Sequence, residues 1–221
     1  MSEPIAHSLT DGHLGLSADE VLTTTRAVRK RLDLDRPVPR EVLVECVDIA
    51  HQSPSGSNTQ RWRWVFVDDP AKKLALAEIY RKRFFAYAVA SGKPASEQAN
   101  DVIQESATYL AENLERVPVL VIPLLADRMT DSTPVARQAS RWGSILPAVW
   151  SFMLALRERG LGSAWTTMHL PDEREVAELL DIPYDDYTQA GLFPVAYTVG
   201  TDFKLAKRPP ASEVIRWNSW S

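Results

Sequence analysis

Apolar and polar positions along the chain follow two periods, one typical of helices and one typical of strands. Between 40 and 52 the apolar residues recur at steps of three and four, which is the period of one buried helix face. Further helices are predicted at 18–25, 71–89, 96–116, 137–159 and 172–180. Apolar runs bounded by turn residues predict strands at 62–67, 117–126, 163–166 and 193–200. This order indicates one α+β domain over 1–221, with helices around a sheet of four or five strands.

Two segments are too apolar to lie on a surface. In 117–126, Val, Leu and Ile occupy both odd and even positions, which is typical of a central strand covered on both faces. The segment 137–159 is apolar around most of its circumference, so we expect it in the core or at an interface between two subunits. The first stretch, 1–16, has neither pattern and is expected to be flexible.

Composition and charge limit the classes of molecule that the protein is expected to bind. The chain has 221 residues, of which 45% are hydrophobic, and 25 Lys plus Arg against 29 Asp plus Glu give a net charge of −4. This balance argues against nucleic acid and anionic membranes as partners. The longest apolar run is about half of the roughly 20 residues that span a bilayer. Cys46 is the single cysteine and no signal peptide is recognisable, so a cytoplasmic location is expected. The four histidines lack metal-ligand spacing, and no metal site is predicted.

Three polar segments could bind a ligand. Arg26 and Arg29 are three residues apart, so both guanidinium groups could bind one phosphate, although a solvated basic surface is the alternative. The segment 53–60 offers hydroxyl and amide groups that could bind the edge of a heterocycle, or it is an ordinary turn. The segment 160–167 combines glycines with threonines, which suits contact with a flat ligand and equally suits a helix end followed by a strand.

Taken in order, five blocks resemble the FMN-dependent nitroreductase superfamily. The blocks are Arg26-Ala27-Val28-Arg29, Arg36-Pro37-Val38-Pro39, 53–62, 160–167 and Lys207-Arg208-Pro209. The resemblance implies a nitroreductase-like α+β fold, with a mixed but mainly antiparallel central sheet flanked by helices. It also implies an intertwined homodimer that binds FMN at the subunit interface.

The resemblance further implies which residues hold the cofactor. Arg26 and Arg29, together with Lys207 or Arg208, would bind the phosphate, and the loop, contributed partly by the other subunit, would line the flavin. The full set of expected FMN-binding residues is Arg26, Ala27, Arg29, Pro54, Ser55, Gly56, Asn58, Gln60, Trp165, Thr166, Thr167, Met168, Lys207 and Arg208. Two positions depart from the family pattern. Ala27 replaces a serine, which removes a hydrogen bond worth about 1 kcal/mol, and Arg61 replaces a proline.

The implied activity is a ping-pong oxidoreductase. NADPH or NADH would reduce FMN at N5, and a nitroaromatic, quinone or similar small molecule would then accept the electrons, with no catalytic side chain required. The variable lid of the family falls at 84–104, so Phe85 and Tyr87 are expected to contact the acceptor, and His169 could also face it. The alternatives are a reductive dehalogenase or flavin-fragmenting enzyme on the same fold, a protein that binds or sequesters FMN without turnover, and a domain without a cofactor.

Overall fold

The computed structural model describes residues 12–90 and 101–220, and its strands are interspersed with helices along the chain. The helices are α1 (Ala18–Thr24), α2 (Arg40–Ala50), α3 (Pro70–Ala90), α4 (Asp101–Asn113), α5 (Val135–Glu158) and α6 (Glu173–Leu179). The strands are β1 (Trp62–Val67), β2 (Val119–Leu125), β3 (Leu161–Ser163), β4 (Thr188–Gln189) and β5 (Phe193–Tyr197). None of the helices in these ranges is both long and apolar enough to cross a membrane.

The sheet has the order β1-β2-β5-β3, and β4 pairs with the end of β2. All strand pairs are antiparallel, and the register of the first pair runs from Trp62 opposite Leu125 to Val67 opposite Leu120. The only parallel component in the described residues is an isolated bridge between Ala27 and Ser163. The α+β fold with an antiparallel sheet flanked by helices is therefore confirmed.

The sheet separates two apolar layers. On one side α3, α4 and α6 contribute buried residues such as Leu76 and Leu110, and on the other side α2 and α5 pack around Phe152. The Phe152 ring lies 5.0 Å from that of Trp64 and 6.2 Å from that of Phe66. Every residue of β2 is buried, as its unbroken apolar run predicts for a strand covered on both faces.

The structure differs from the prediction at two strands. The strand expected at 163–166 ends at Ser163, because Thr166 instead exchanges two backbone hydrogen bonds with Leu192. Strand β4 was missed, since two residues are too few to show a period. The fourth helix begins at Asp101, and the predicted start at 96 lies outside the described residues.

The N-terminal segment that the sequence predicts to be flexible makes defined contacts at its last residues. The amides of Gly15 and Leu16 donate to the two carboxylate oxygens of Glu158, at 2.8 and 3.1 Å. The amide of Leu14 donates to the carbonyl of the same residue at 2.8 Å. Residues 14–16 are therefore held against the end of α5, while 1–11 lie outside the described residues.

Candidate functional site

The first and fourth sequence blocks lie side by side. The amide of Val28 donates to the carbonyl of Ser163 at 2.8 Å, which places the arginine block next to β3. Gly162 is required here because a Cβ atom would lie 2.9 Å from Val28 Cβ and 2.7 Å from Thr198 Cγ2. Those distances are shorter than non-bonded carbon contacts allow. The glycine thus permits two segments more than 130 residues apart in sequence to meet.

The tail of the chain reaches the same place. One Nη atom of Arg26 donates to the carbonyl of Lys204 and lies 3.5 Å from the carbonyl of Thr23. Lys207 and Arg208 follow within four residues and are exposed. The basic pair of the fifth block therefore lies three and four residues along the chain from a residue that Arg26 contacts, and its part in phosphate binding stays a prediction.

Ion pairing separates the basic residues of this region into two groups. Lys30 pairs with Glu105, and Arg31 pairs with Asp202 at 2.7 Å. The four cations expected at the phosphate have no carboxylate partner in the described part of the chain: Arg26, Arg29, Lys207 and Arg208. Cations without a carboxylate partner keep their full charge for an anionic ligand, as phosphate binding requires.

The loop at 53–60 is strained and clamped. Ser57, Asn58 and Gln60 have φ angles of 53, 51 and 45°, in the left-handed region that costs non-glycine residues energy. The Gln60 amide donates to Ser55 Oγ at 3.0 Å, and the Gly56 amide donates to Ser144 Oγ on α5, also at 3.0 Å. Such strain persists only where surrounding contacts over-determine the backbone, and it is common at ligand sites.

Within one chain this loop is remote from Arg26. Gly56 binds Ser144, whereas Arg26 shares a small cleft with Arg157 near the other end of the same helix. Thirteen residues separate those two helix positions, which corresponds to about 20 Å at 1.5 Å per residue. The loop residues predicted to line the flavin, Pro54, Ser55, Gly56 and Asn58, are therefore not brought to the arginine block by their own chain, and neither is Gln60, predicted to steady the loop.

The strip that follows β3 alternates between buried and exposed residues. Thr166 is buried, and its amide and hydroxyl both donate to the Leu192 carbonyl, at 3.1 and 2.7 Å. Contrary to expectation, Thr166 therefore offers no free donor to a ligand. Thr167 is exposed, and neither its amide nor its hydroxyl is bonded within the described residues. Trp165 is 36% exposed and donates from Nε1 to the Ala190 carbonyl at 3.0 Å, while Met168 packs partly against the core.

The structure corrects the role expected for His169. Its side chain is 0% exposed, so it cannot face an acceptor. Its Nε2 lies 3.1 Å from Gln189 Oε1, and Gln189 Nε2 donates to the Glu173 carbonyl. Because Oε1 must accept, we assign the proton of the ring to Nε2. Burial lowers the pKa of His169 to about 4, and its Nδ1 has no partner in the described residues.

The two aromatic lid residues lie on the last turns of α3. Phe85 is 43% exposed and Tyr87 is 63% exposed, so both are accessible to a small molecule. Their contact with an acceptor stays a prediction, and 91–100 of the expected lid lie outside the described residues. No cluster of three or more potential metal ligands is present in 12–90 and 101–220.

Two residues of the site were missed from the sequence. Tyr80 is 3% exposed, and burial raises the pKa of its hydroxyl, an effect opposed by the nearby charge of Arg29 and by a hydrogen bond with Thr166. Arg157 is 5% exposed and lines the cleft beside Arg26. An aromatic residue on an apolar helix face gives no signal in the sequence. A cation directly after an apolar helical run gives a weak one.

Comparison with known proteins identifies the family. The model of the nitroreductase family matches residues 22–197. The chain belongs to the nitroreductase family. The resemblance predicted from the five ordered blocks is confirmed.

Proteins with different named activities are similar to this chain. The iodotyrosine deiodinase of Thermotoga neapolitana is 28% identical over 204 residues, covering 90% of this chain and 97% of that protein. A structure of iodotyrosine deiodinase bound to FMN and 3-iodo-L-tyrosine is 27% identical, with a TM-score of 0.65 over 91% of this chain and 99% of that chain. The FMN and NADPH-dependent nitroreductase NfnB from Sphigopyxis sp. strain HMH is 22% identical, with a TM-score of 0.67 over 93% and 100% of the chains. The last match shows the fold alone.

Proposed function

We propose that this protein is an FMN-dependent oxidoreductase that uses NADPH or NADH and delivers electrons to a nitroaromatic, quinone or similar small acceptor. The observation that carries the proposal is the arginine block held beside β3, with Arg26 bonded to the tail at Lys204 and with Arg26 and Arg29 unpaired with any carboxylate in the described residues. The free amide and hydroxyl of Thr167 lie a few residues beyond that contact. When bound, FMN supplies the redox chemistry, taking up a hydride at N5 and giving electrons to the acceptor.

The residues present fit the two ends of FMN. Arg26 and Arg29, with Lys207 or Arg208, would hold the phosphate, because guanidinium groups bind phosphate oxygens in pairs. Thr167 would donate to the ring, since a donor that is exposed and unbonded loses nothing on binding a ligand. Two residues close to Thr167 in sequence, Trp165 and Met168, would contact the ring through apolar atoms.

We propose a homodimer, because the loop and the arginine block of one chain lie about 20 Å apart along α5. A second copy can supply the loop that the first copy holds too far away. The tail supports this arrangement: Trp217 and Trp220 are 82 and 86% exposed, and exposed aromatic residues are typical of interfaces. Trp150 of α5 is a third exposed aromatic residue, with 40% of its surface exposed.

Reductive dehalogenation is the second candidate, favoured by the deiodinase relative that aligns with 90% of this chain. FMN binding without nicotinamide turnover is a third possibility, because Ala27 lacks the hydroxyl that the family offers the phosphate. We also propose a cytoplasmic location, where nicotinamide reductants are available and the lone, buried Cys46 stays reduced.

The visible spectrum of the purified protein with FMN tests the function, followed by anaerobic addition of NADPH and then NADH. The oxidoreductase proposal expects a bound flavin whose absorbance bleaches. A bound flavin that stays oxidised with both nucleotides, and bleaches with dithionite, contradicts nicotinamide use and favours sequestration or another reductant. Reoxidation by a nitroaromatic, a quinone or 3-iodo-L-tyrosine then separates the reductase from the dehalogenase.

Arg26→Met is expected to lower FMN affinity about 30-fold, because an ion-paired hydrogen bond to phosphate is worth about 2 kcal/mol. Riboflavin has the same ring without the phosphate, so its affinity is expected to stay within about twofold. Quenching of flavin fluorescence measures both. Arg40→Met is the matched control, since Arg40 on α2 is paired with Asp68 and makes no contact with the tail among the described residues. Equal losses for FMN and riboflavin would show that Arg26 does not bind the phosphate.

Tyr87→Leu is expected to change the ranking of acceptors more than the affinity for FMN. Tyr87 is exposed on α3, away from the basic residues proposed for the phosphate. Steady-state kcat/KM values for one nitroaromatic and one quinone measure the ranking, and a shift of about fivefold in their ratio corresponds to one lost contact worth about 1 kcal/mol. Leu22→Ala is the control, because Leu22 is an exposed apolar residue on α1. A Tyr87 variant that loses FMN and acceptor activity in parallel would contradict a role in selection.

A further inference from the structure

Arg157 is a buried cation without an anionic partner. It lies at the end of α5 and is 5% exposed. No carboxylate lies within ion-pair distance of it in the described residues. Burying a charge is costly unless hydrogen bonds or an opposite charge compensate it. The contacts that Arg157 makes instead are therefore informative.

Those contacts join two separate segments. Arg157 Nε donates to Thr24 Oγ1 at 3.2 Å, and Nη2 donates to the carbonyl of Thr201 at 3.0 Å. The guanidinium also lies 5.0 Å from the centre of the Phe203 ring. Thr24 is the last residue of α1, two positions before Arg26. One side chain thus holds the end of α1 and the first residues of the tail.

The same tail supplies the other cations of the site. Lys204 directly follows Phe203, and its carbonyl accepts from Arg26. Lys207 and Arg208 come three and four residues later. The position of the tail relative to Arg26 therefore depends on anchors at its start, and Arg157 provides two of them, a hydrogen bond and a cation–π contact.

Arg157 does not reach a ligand itself. Its remaining Nη1 and the Ser163 hydroxyl are both buried without a partner in the part of the chain that the structure describes, and both residues line one cleft of about 10 Å³. That volume has room for about one water molecule and excludes a phosphate group. Any influence of Arg157 on an anion must act through the segments that it holds.

We propose that Arg157 is a positioning residue of the anion site: by fixing the start of the tail against the arginine block, it makes the tail cations converge with Arg26. This inference rests on the proposed function, since the anion is taken to be the phosphate of FMN. It requires that Arg157 affects the phosphate end of the ligand and leaves the ring end unchanged. A merely structural arginine would weaken both ends alike.

The experiment compares FMN with riboflavin on Arg157→Met, Arg157→Lys and a matched control. Arg159→Met is that control: Arg159 has the same charge, is 6% exposed and lies two positions away, but it binds Glu45 and the Ala155 carbonyl instead of the tail. We expect Arg157→Met to lower FMN affinity about tenfold, the effect of about 1.4 kcal/mol, with riboflavin unchanged. Arg157→Lys restores part of the loss, and Arg159→Met keeps the wild-type ratio of the two affinities.

A second measurement needs no flavin. Trypsin cleaves after lysine, and Lys204 lies where the tail is pinned. We expect cleavage after Lys204, followed by mass spectrometry, to be several times faster in Arg157→Met than in wild type or Arg159→Met. Thr24→Val removes the hydroxyl that accepts from Arg157 and donates to the Glu20 carbonyl of its own helix; it is the milder variant if Arg157→Met fails to fold, and it shifts both readouts in the same direction.

The outcomes separate the two proposals. Wild-type protein that binds no flavin overturns the proposed function and the anion role together. Wild-type protein that binds FMN, with Arg157→Met showing the same ratio of FMN to riboflavin affinity, overturns only the role of Arg157. Equal losses in Arg157→Met and Arg159→Met, or unchanged cleavage after Lys204, also overturn it. A selective loss of FMN affinity with faster cleavage supports it.

Discussion

Gly162→Val is expected to destabilise the protein by about 3 kcal/mol, the upper end of the usual cost of inserting bulk into a packed core. The first added carbon would already lie 2.7 Å from Thr198 Cγ2 and 2.9 Å from Val28 Cβ. Relief requires Val28 to move away from Ser163, which displaces the arginine block from β3. We therefore expect FMN affinity to fall with stability. Urea unfolding followed by circular dichroism, and flavin fluorescence quenching, measure the two effects.

A second glycine serves as the control for that substitution. Gly143 lies within α5, and an added Cβ atom would meet nothing within 4 Å. Gly143→Ala is expected to stabilise the helix by up to about 1 kcal/mol, because alanine loses less backbone freedom than glycine on folding. If Gly162→Val unfolded at the same urea concentration as wild type, the close approach of β3 and the arginine block would be contradicted.

His169→Gln is expected to remove a part of the acid sensitivity of the fold. The pKa of His169 falls from 6.5 to about 4 on burial, so between these values the unfolded chain binds a proton that the folded chain does not. Stability is therefore complete above pH 6.5 and declines as the pH falls to 4, by a total of about 3 kcal/mol. Glutamine keeps a donor for Gln189 Oε1 and cannot take up the proton. Unfolding free energies from urea titrations between pH 4 and 7 measure the difference.

Substitution of another histidine controls for the general acid response. His51 is exposed, so His51→Gln is expected to keep the decline of the wild type. Carboxylates that protonate in the same range affect all three proteins equally, and the difference between curves isolates His169. Parallel curves for wild type and His169→Gln would show that the ring is accessible to protons in the folded state.

Much of the fold can be predicted from the sequence, because the buried faces of helices and strands repeat apolar residues at a fixed spacing. The run at 117–126 predicts the covered strand β2, and the three- and four-residue steps after Pro39 predict α2 with Cys46 inside. Burial also accounts for the thiol, whose pKa rises to about 12. Strand β4 escaped prediction since it consists of two residues whose pairing with β2 depends on tertiary contacts alone.

The sequence predicts the separate segments of the candidate site but not how those segments are arranged in space. The order of five polar blocks predicts which segments bind the ligand, but His169 shows the limit of adjacency. It follows in sequence the strip that we propose to contact the flavin, yet the turn after Thr167 directs the imidazole toward Gln189. Likewise, nothing in the sequence states that α5 separates Gly56 from Arg26. The separation is shown by the positions on that helix of Ser144, which binds Gly56, and of Arg157, which shares a cleft with Arg26.

The end of α5 also brings together residues 14–16 and the start of the C-terminal tail. Glu158 holds residues 14–16, and its neighbour Arg157 holds Thr201 at the start of the tail. Beside them, a Cβ atom on Gly160 would lie 4.0 Å from both Leu14 and Thr201. An affinity tag placed close to Leu14 would therefore press on the root of the opposite terminus. Deleting the chain up to Ser17 would leave that root without its neighbour, so the protein used for flavin titration is best kept intact at residues 14–16.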